Sequence, residues 1–181
     1  MAYQPILVTG GAGFIGSNVV ASVLDAGHPD VIVLDELGSD TLKWKNLAKQ
    51  RVDDIVPPSE IEGLLAGTRV SAVVHLGAIS ATTARDADAV IGANFRLSKR
   101  LWQYCADAGV PFLYASSAAT YGDGAQGYSD EYTSGALARL RPRNLYGWSK
   151  HLFDRWAVHQ VGRGRSVPPQ WVGLKVFNVF G

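Results

Sequence analysis

The apolar run Ile6-Leu7-Val8-Thr9 breaks into Gly10-Gly11-Ala12-Gly13-Phe14-Ile15-Gly16, and an amphipathic segment comes at once after it. Glycines at every third position between a strand and a helix suit few backbones. Gly10 permits a tight turn, Gly13 lets the backbone approach a bound group, and Gly16 lets the helix pack close to the sheet. An anion placed there meets unpaired N–H groups and the positive end of the helix. The alternative is a purely structural glycine turn. The flanking elements favour the anion: Phe14 to Asp25 reads as a helix with Ile15, Val19 and Val23 on one stripe and Gly27 as its C-terminal stop. Val31 to Leu34 is then apolar throughout and ends at Asp35. An acid at the end of the second strand is where a dinucleotide-binding fold holds ribose hydroxyls.

The remaining chain repeats the alternation. Residues 41–50 look helical, and Arg51 to Ile55 reads as a weak third strand. Pro57-Pro58-Ser59-Glu60 marks a helix entry with Ser59 as N-cap. Ala72 to Leu76 is a buried strand, and Val90 to Ala108 is a helix with Val90, Leu97, Leu101, Tyr104 and Ala108 along one face. Phe112 to Ser116, Tyr146 to Val161 and Trp171 to Phe177 supply a strand, a helix and a last strand. Strands that are apolar throughout, alternating with helices, imply an α/β, Rossmann-like, doubly wound parallel sheet with helices on both faces, ending after the sixth strand. Residues 1–181 thus read as one dinucleotide-binding domain. The irregular stretch 122–145 is expected to be a surface loop.

Composition narrows the class. The 17 Lys+Arg against 16 Asp+Glu leave a net charge of +1, which offers no footprint for nucleic acid or an anionic membrane surface. A hydrophobic share of 47% is that of a folded domain. No apolar run has the length of a membrane span or the order of a signal peptide. The one cysteine, Cys105, allows no internal disulfide, and the four histidines have no metal spacing. A cytoplasmic protein without a metal site is expected.

Tyr146 and Lys150 stand four residues apart, neighbours on one helical face, where the ammonium favours the phenolate. Such a tyrosine can take a proton from an alcohol as hydride leaves for a nicotinamide. Tyr-x-x-x-Lys is common by chance, but here Ser116-Ser117 closes the preceding strand, at the sheet end where this fold binds ligands. Ser117 would donate to the reacting oxygen. Cofactor choice stays open: Asp35 favours NAD by repelling a 2′-phosphate, whereas Lys43 could meet that phosphate or be a solvated helix charge. Asp54 could reach the adenine amino group or be a surface acid. Asn94, on the apolar stripe of its helix, must find partners when buried.

Thr9 to Gly16, His75-Leu76-Gly77-Ala78, Ser116 to Gly122 and Tyr146-x-x-x-Lys150 together resemble the extended short-chain dehydrogenases/reductases, in their NAD-dependent nucleotide-sugar epimerase and dehydratase group. Ser80-Ala81-Thr82-Thr83, Pro111 to Gly122, Leu152-Phe153-Asp154 and Phe177-Asn178-Val179-Phe180-Gly181 narrow the resemblance to the ADP-L-glycero-D-manno-heptose 6-epimerase family. The resemblance runs from Ile6 to Gly181. It implies an isomerase of carbohydrate metabolism, in lipopolysaccharide biosynthesis, that works by transient oxidation with bound NADP or NAD and takes an ADP-heptose as substrate. Phe14 and Ile15 would cover the pyrophosphate, Asp35, Glu36 and Lys43 would meet the adenosine ribose, and Leu76, Gly77, Ala78, Ile79 and Ser80 would line the cofactor. Lys150 would also hold the nicotinamide ribose, and Asn94 would contact the nicotinamide side unless it is a satisfied core residue. Asn178 matches a position that touches substrate, and Val179 one that touches cofactor.

The sequence departs from the narrower pattern at Glu36, where Asn is usual, at Leu76, where Glu is usual, and at Ala84-Arg85 in place of an acid. A further lysine proposed as a second acid/base in that family, and its C-terminal substrate domain, lie beyond the last strand. The expectation is therefore a C-terminally truncated chain that binds cofactor and turns sugar over poorly or not at all. The alternatives are another nucleotide-sugar epimerase or dehydratase, or a non-catalytic NAD(P)-binding module. Ala118-Ala119 stand where dehydratases often carry Asp-Glu, which weighs against that branch. The two long helices are the faces through which a homo-oligomer would pack, unless the sheet covers their apolar stripes.

Overall fold

Six short strands, each built from β-branched and other apolar residues, line up in parallel in the order β3-β2-β1-β4-β5-β6 in the computed structural model. The structure describes residues 4–28, 30–39 and 42–180. The strands are β1 (Ile6–Thr9), β2 (Val31–Leu34), β3 (Asp54–Val56), β4 (Ala72–His75), β5 (Phe112–Ser117) and β6 (Trp171–Val176). The helices are α1 (Phe14–Asp25), α2 (Trp44–Leu47), α3 (Ile61–Gly67), α4 (Ala87–Ile91), α5 (Leu97–Ala108), α6 (Ser134–Arg139) and α7 (Leu145–Gly162). The order of connection reverses between β1 and β4, so α1 and α2 lie on one face while α3, α5 and α7 lie on the other.

The two-residue side-chain period of the strands feeds both layers. Ile6, Val8, Val31 and Val33 pack with Val20 of α1 and Leu47. Leu7, Ile32, Leu34, Val73 and Phe112 pack on the other side with Leu101, Trp102 and Phe153. There the fully buried Trp102 sits edge-on to Phe112 and Phe153, with ring centroids 5.9 and 6.1 Å away. A sheet covered on both faces needs strands without a polar side, which is why these runs are apolar throughout.

Several elements differ from expectation. The third strand begins at Asp54, not Arg51, and α2 spans only four residues. Residue 41, the start of the expected helix 41–50, lies outside the described residues. The turn at Pro58–Glu60 is capped by Pro57 without a side-chain hydrogen bond, so Ser59 is not an N-cap. The long helix starts earlier than Val90, because the Asp86 carboxylate accepts from the Ala89 N–H at 2.9 Å. Between α4 and α5, residues 92–96 widen into a single turn of π-helix, a distortion that recurs at functional sites. The stretch 122–145 is not loop throughout: Thr133 Oγ1 accepts from the Ala136 N–H and opens α6. Among the described residues no helix is long and apolar enough to cross a membrane.

Candidate active site

A cleft of about 680 Å³ opens at the carboxyl ends of the strands, over the switch between β1 and β4, where open α/β sheets bind their ligands. Its floor is the glycine loop. Gly10 has φ +69°, and a Cβ there would lie 2.7 Å from the Gly77 backbone nitrogen, so glycine is required to bring the β1 and β4 loops together. A Cβ on Gly16 would lie 2.1 Å from the Gly10 carbonyl oxygen, which explains the third glycine. Gly13 is different. A Cβ there would meet only the Gly10 carbonyl at 3.2 Å, and Gly13 itself lines the cleft. Gly13 caps α1 without a side chain, which leaves the first N–H groups of the helix facing open space as an anion cradle.

Asp35 stands at the end of β2 beside this cradle. One carboxylate oxygen accepts from the Ala12 N–H at 2.9 Å and the other holds the Lys43 ammonium at 2.6 Å. Lys43 also donates to the Glu36 carbonyl at 2.7 Å. The pair shares the cleft with a second recess of about 510 Å³ that Glu36, Pro58, Ser59 and Ile79 help to line. Pro58 and Ser59 were expected at a helix entry, not at the site. Their place results from β3 ending at Val56, a boundary too weak in sequence to locate.

A buried hydrogen-bond chain ties the cradle to the helices behind it. The Gly77 N–H donates to Thr9 Oγ1 at 3.0 Å, which lies 2.6 Å from His75 Nδ1; His75 Nε2 lies 2.8 Å from Ser98 Oγ, which donates to the Asn94 carbonyl at 2.7 Å. Since the Ser98 proton goes to that carbonyl, His75 Nε2 carries the hydrogen and Nδ1 accepts from Thr9. Burial, reinforced by the charge of Lys150, holds His75 down to about 3, hence neutral at physiological pH. The Asn94 side chain is fully buried. Its oxygen accepts from the Ile79 N–H at 2.8 Å, and its nitrogen donates to the Ile79 carbonyl and to Ser149 Oγ, each at 3.0 Å. Asn94 therefore stands behind the second recess and shapes its wall through Ile79, as the satisfied core residue that was the alternative to a cofactor contact.

The opposite end of the cleft gathers Ser117, Tyr146 and Lys150. Ser117 ends β5, and its Oγ accepts from the Ala119 N–H at 3.1 Å, an arrangement that leaves the hydroxyl proton for another acceptor. Asn144 caps α7 by accepting from the Gly147 N–H at 2.8 Å, so the helix starts just before Tyr146. A Cβ on Gly147 would lie 2.7 Å from the Ala119 carbonyl oxygen, and this close approach brings Tyr146 to the turn after Ser117. Lys150 is almost fully buried, and burial pushes its ammonium down to about 8, opposed by the charge of Asp154.

Of the expected residues, Gly10, Gly13, Phe14, Ile15, Gly16, Asp35, Lys43, Leu76, Gly77, Ala78, Ser80, Ser117, Tyr146, Lys150, Asn178 and Val179 line the cleft, and Glu36 and Ile79 line the second recess. Asp54 does neither. It opens β3 at the amino end of the sheet, paired with Ile32, and its carboxylate accepts from the Ile55 N–H at 2.7 Å. The misplacement is a direct result of the shifted strand boundary. Among the described residues there is no group of His, Cys, Asp or Glu that could hold a metal.

A six-stranded parallel sheet in this order, with helices on both faces, a glycine turn at its switch point and an acid closing the second strand, is a Rossmann-like α/β fold. The sequence matches the NAD dependent epimerase/dehydratase family over residues 6–181, and the chain belongs to that family. Among curated relatives, the ADP-L-glycero-D-manno-heptose-6-epimerase of Fusobacterium nucleatum subsp. nucleatum is 42% identical over 97% of this chain and 53% of its own length. The enzyme of the same name from Nitratidesulfovibrio vulgaris strain Hildenborough is 47% identical, with the same coverage. The chain thus spans about half the length of the curated relatives it matches. In solved structures, Helicobacter pylori ADP-L-glycero-D-manno-heptose-6-epimerase superposes with a TM-score of 0.76 at 29% identity, covering 98% of this chain and 56% of that one. Bacillus cereus UDP-glucuronic acid 4-epimerase in complex with NAD gives 0.77 at 25% identity, covering 98% and 57%.

Proposed function

We propose that the chain carries the NAD(P) site and the proton-transfer residues of a nucleotide-sugar epimerase acting on an ADP-heptose. The observation that carries this reading is the meeting, in one cleft, of the open cradle at Gly13 with Ser117, Tyr146 and Lys150. The N–H groups at the start of α1 would hold the pyrophosphate, Asp35 and Lys43 the adenosine ribose, and Lys150 the nicotinamide ribose. Bound nicotinamide supplies a reversible hydride acceptor, the chemistry by which a sugar stereocentre can be oxidised and rebuilt with the opposite configuration. Tyr146 takes the proton of the sugar hydroxyl and returns it. Lys150, when charged, stabilises the phenolate. Ser117, its oxygen already anchored by the Ala119 N–H, donates to the reacting oxygen. Asn178 lines the cleft and is exposed, and it would contact the substrate.

Asp35 and Lys43 pull cofactor choice in opposite directions, since a carboxylate repels a 2′-phosphate and an ammonium attracts it. Their contact at 2.6 Å joins the two preferences in one pair. The heptose assignment draws on the curated relatives, which are 42% and 47% identical.

The test compares wild type with Tyr146→Phe, loaded with NAD+ or NADP+ and offered an ADP-heptose in a single-turnover assay that follows nicotinamide absorbance. A slow, residual formation of reduced nicotinamide is expected in wild type, and Tyr146→Phe is expected to bind cofactor equally well while forming none. Loss of cofactor binding in Tyr146→Phe would make Tyr146 a structural residue and overturn the assignment.

A further inference from the structure

Behind the cleft, Asp154 stands one turn of α7 beyond Lys150 and is fully buried. Its carboxylate accepts from Ser116 Oγ at 2.7 Å and the Tyr114 hydroxyl at 2.9 Å, both on β5, and from Lys175 Nζ at 3.0 Å on β6. The Lys175 side chain is only 6% exposed. It donates also to Thr120 Oγ1 at 2.7 Å, and that hydroxyl donates to the Ser117 carbonyl at 2.7 Å. One ion pair therefore joins α7, β5, β6 and the turn that begins at Ser117. Asp154 and Lys175 do not line the cleft; Lys175 lines a separate recess with Asp130 and Tyr132.

A buried ion pair is a weak source of stability, because desolvation offsets the attraction of its charges. Its position beside Ser117 and Lys150 points to another role. We infer that Asp154, held in place by Lys175, is a positioning residue of the cleft, acting on the Lys150 amine one helical turn away and on the end of β5 that carries Ser117. The inference rests on the proposed roles of Lys150 and Ser117.

The surroundings make Asp154 the group that matters. Acting on Lys150 or Asp154 are His75 from β4, Tyr114 from β5, Lys175 from β6, Tyr121 and Tyr132 from the segment between β5 and α7, and His151 on α7 itself, and Tyr146 lines the cleft with Lys150. Arg141 and Arg155 act on the same region through His151. His75 is neutral, and burial holds Tyr114 and Tyr132 above the ordinary phenol range, so they are neutral as well. Among the described residues, Asp154 is the carboxylate that acts on Lys150 against the effect of burial. Removing its charge favours the neutral amine.

The test is the titration of Lys150 in the full chain, read by NMR on lysine labelled with ¹³C at Cε and assigned with Lys150→Arg. Asp154→Asn is compared with Asp154→Asn/Lys175→Met. The single variant leaves a buried ammonium without its partner, whereas the double variant removes both charges at similar volume. In Asp154→Asn the Lys150 midpoint is expected to fall by about one pH unit, cutting the charged fraction at pH 8 from about a half to about a tenth, and in the double variant, which also loses the repulsion of Lys175, to fall by less but by more than about 0.2 units. A folded variant whose midpoint moves by less than about 0.2 units overturns the inference. A double variant that cannot fold overturns it too, by making the pair purely structural. NADH and NADPH binding to the same wild-type sample separates the two readings. A wild type that binds neither, with Lys150 shifting as expected in the variants, defeats the cofactor assignment and leaves the coupling intact.

Discussion

Gly13→Ala separates binding from folding in a way its neighbours do not. At Gly13 the backbone has φ −75° and ψ 174°, which any residue adopts, and the added methyl would approach only the Gly10 carbonyl at 3.2 Å. Alanine is a poorer N-cap than glycine, by up to about 1 kcal/mol. It also restricts the unfolded chain, which returns about 0.4–1 kcal/mol. Stability should therefore change by less than about 1 kcal/mol, or about 4 °C in Tm for a chain of this size. The same methyl occupies the space where the pyrophosphate would accept from the N–H groups of α1. Losing two charge-assisted hydrogen bonds at about 1.5 kcal/mol each removes about 3 kcal/mol, more than a hundredfold in Kd. Gly10→Ala is the contrasting control: it forces a left-handed conformation on alanine and drives Cβ to 2.7 Å from Gly77, so it should unfold the loop outright. The assay is isothermal titration with NADH and NADPH alongside thermal unfolding. A Gly13→Ala chain that keeps its Tm and binds either nucleotide within threefold of wild type would refute the pyrophosphate placement.

Cofactor choice is tested by separating the Asp35–Lys43 pair: Lys43→Ala should weaken NADPH at least about tenfold more than NADH, and Asp35→Ala should do the reverse, both read by nicotinamide fluorescence. Equal effects on the two nucleotides would place the 2′ position elsewhere. His75 gives a pH signature. Its midpoint is depressed to about 3 in the folded chain, against about 6.5 when unfolded, so below pH 6.5 the unfolded state binds the extra proton and stability falls. The slope from this residue should approach about 1.4 kcal/mol per pH unit down to about pH 3. In His75→Asn that contribution should vanish from urea unfolding series, and an unchanged slope would remove His75 as its source.

The parts of the site legible in sequence are those in which function and local backbone coincide. Gly10, Gly13, Gly16 and Asp35 occupy a strand-turn-helix-strand unit whose geometry depends on residues close in sequence, and their spacing together with the flanking elements pointed to the turn that lines the cleft. Ser117, Tyr146 and Lys150 were legible for a related reason: one ends a strand and the others share a helical face. Asp54 was misplaced because a three-residue strand with two exposed positions has too little pattern to set its boundary. Asn94 was recognised as buried, but its partners lie 15 and 55 residues away, and no spacing within its helix announces Ile79 or Ser149. Asp154 entered only within the Leu152-Phe153-Asp154 resemblance, without a role, and Lys175 not at all, for the same reason. Each looks like an ordinary charge in its own element, and only the packing of α7 against β5 and β6 buries them together. The π-turn at 92–96 is likewise a tertiary adjustment: the stripe through Val90, Leu97 and Leu101 reads as one regular helix.

The most direct measurement is a crystal structure of the chain grown with NADPH or NADH. The pyrophosphate is expected on the N–H groups of Phe14 and Ile15 at the start of α1, the adenosine ribose beside Asp35 and Lys43, and the nicotinamide beside Tyr146 and Lys150. A dinucleotide bound in the opposite direction, or outside the cleft, would contradict the assignment of this site.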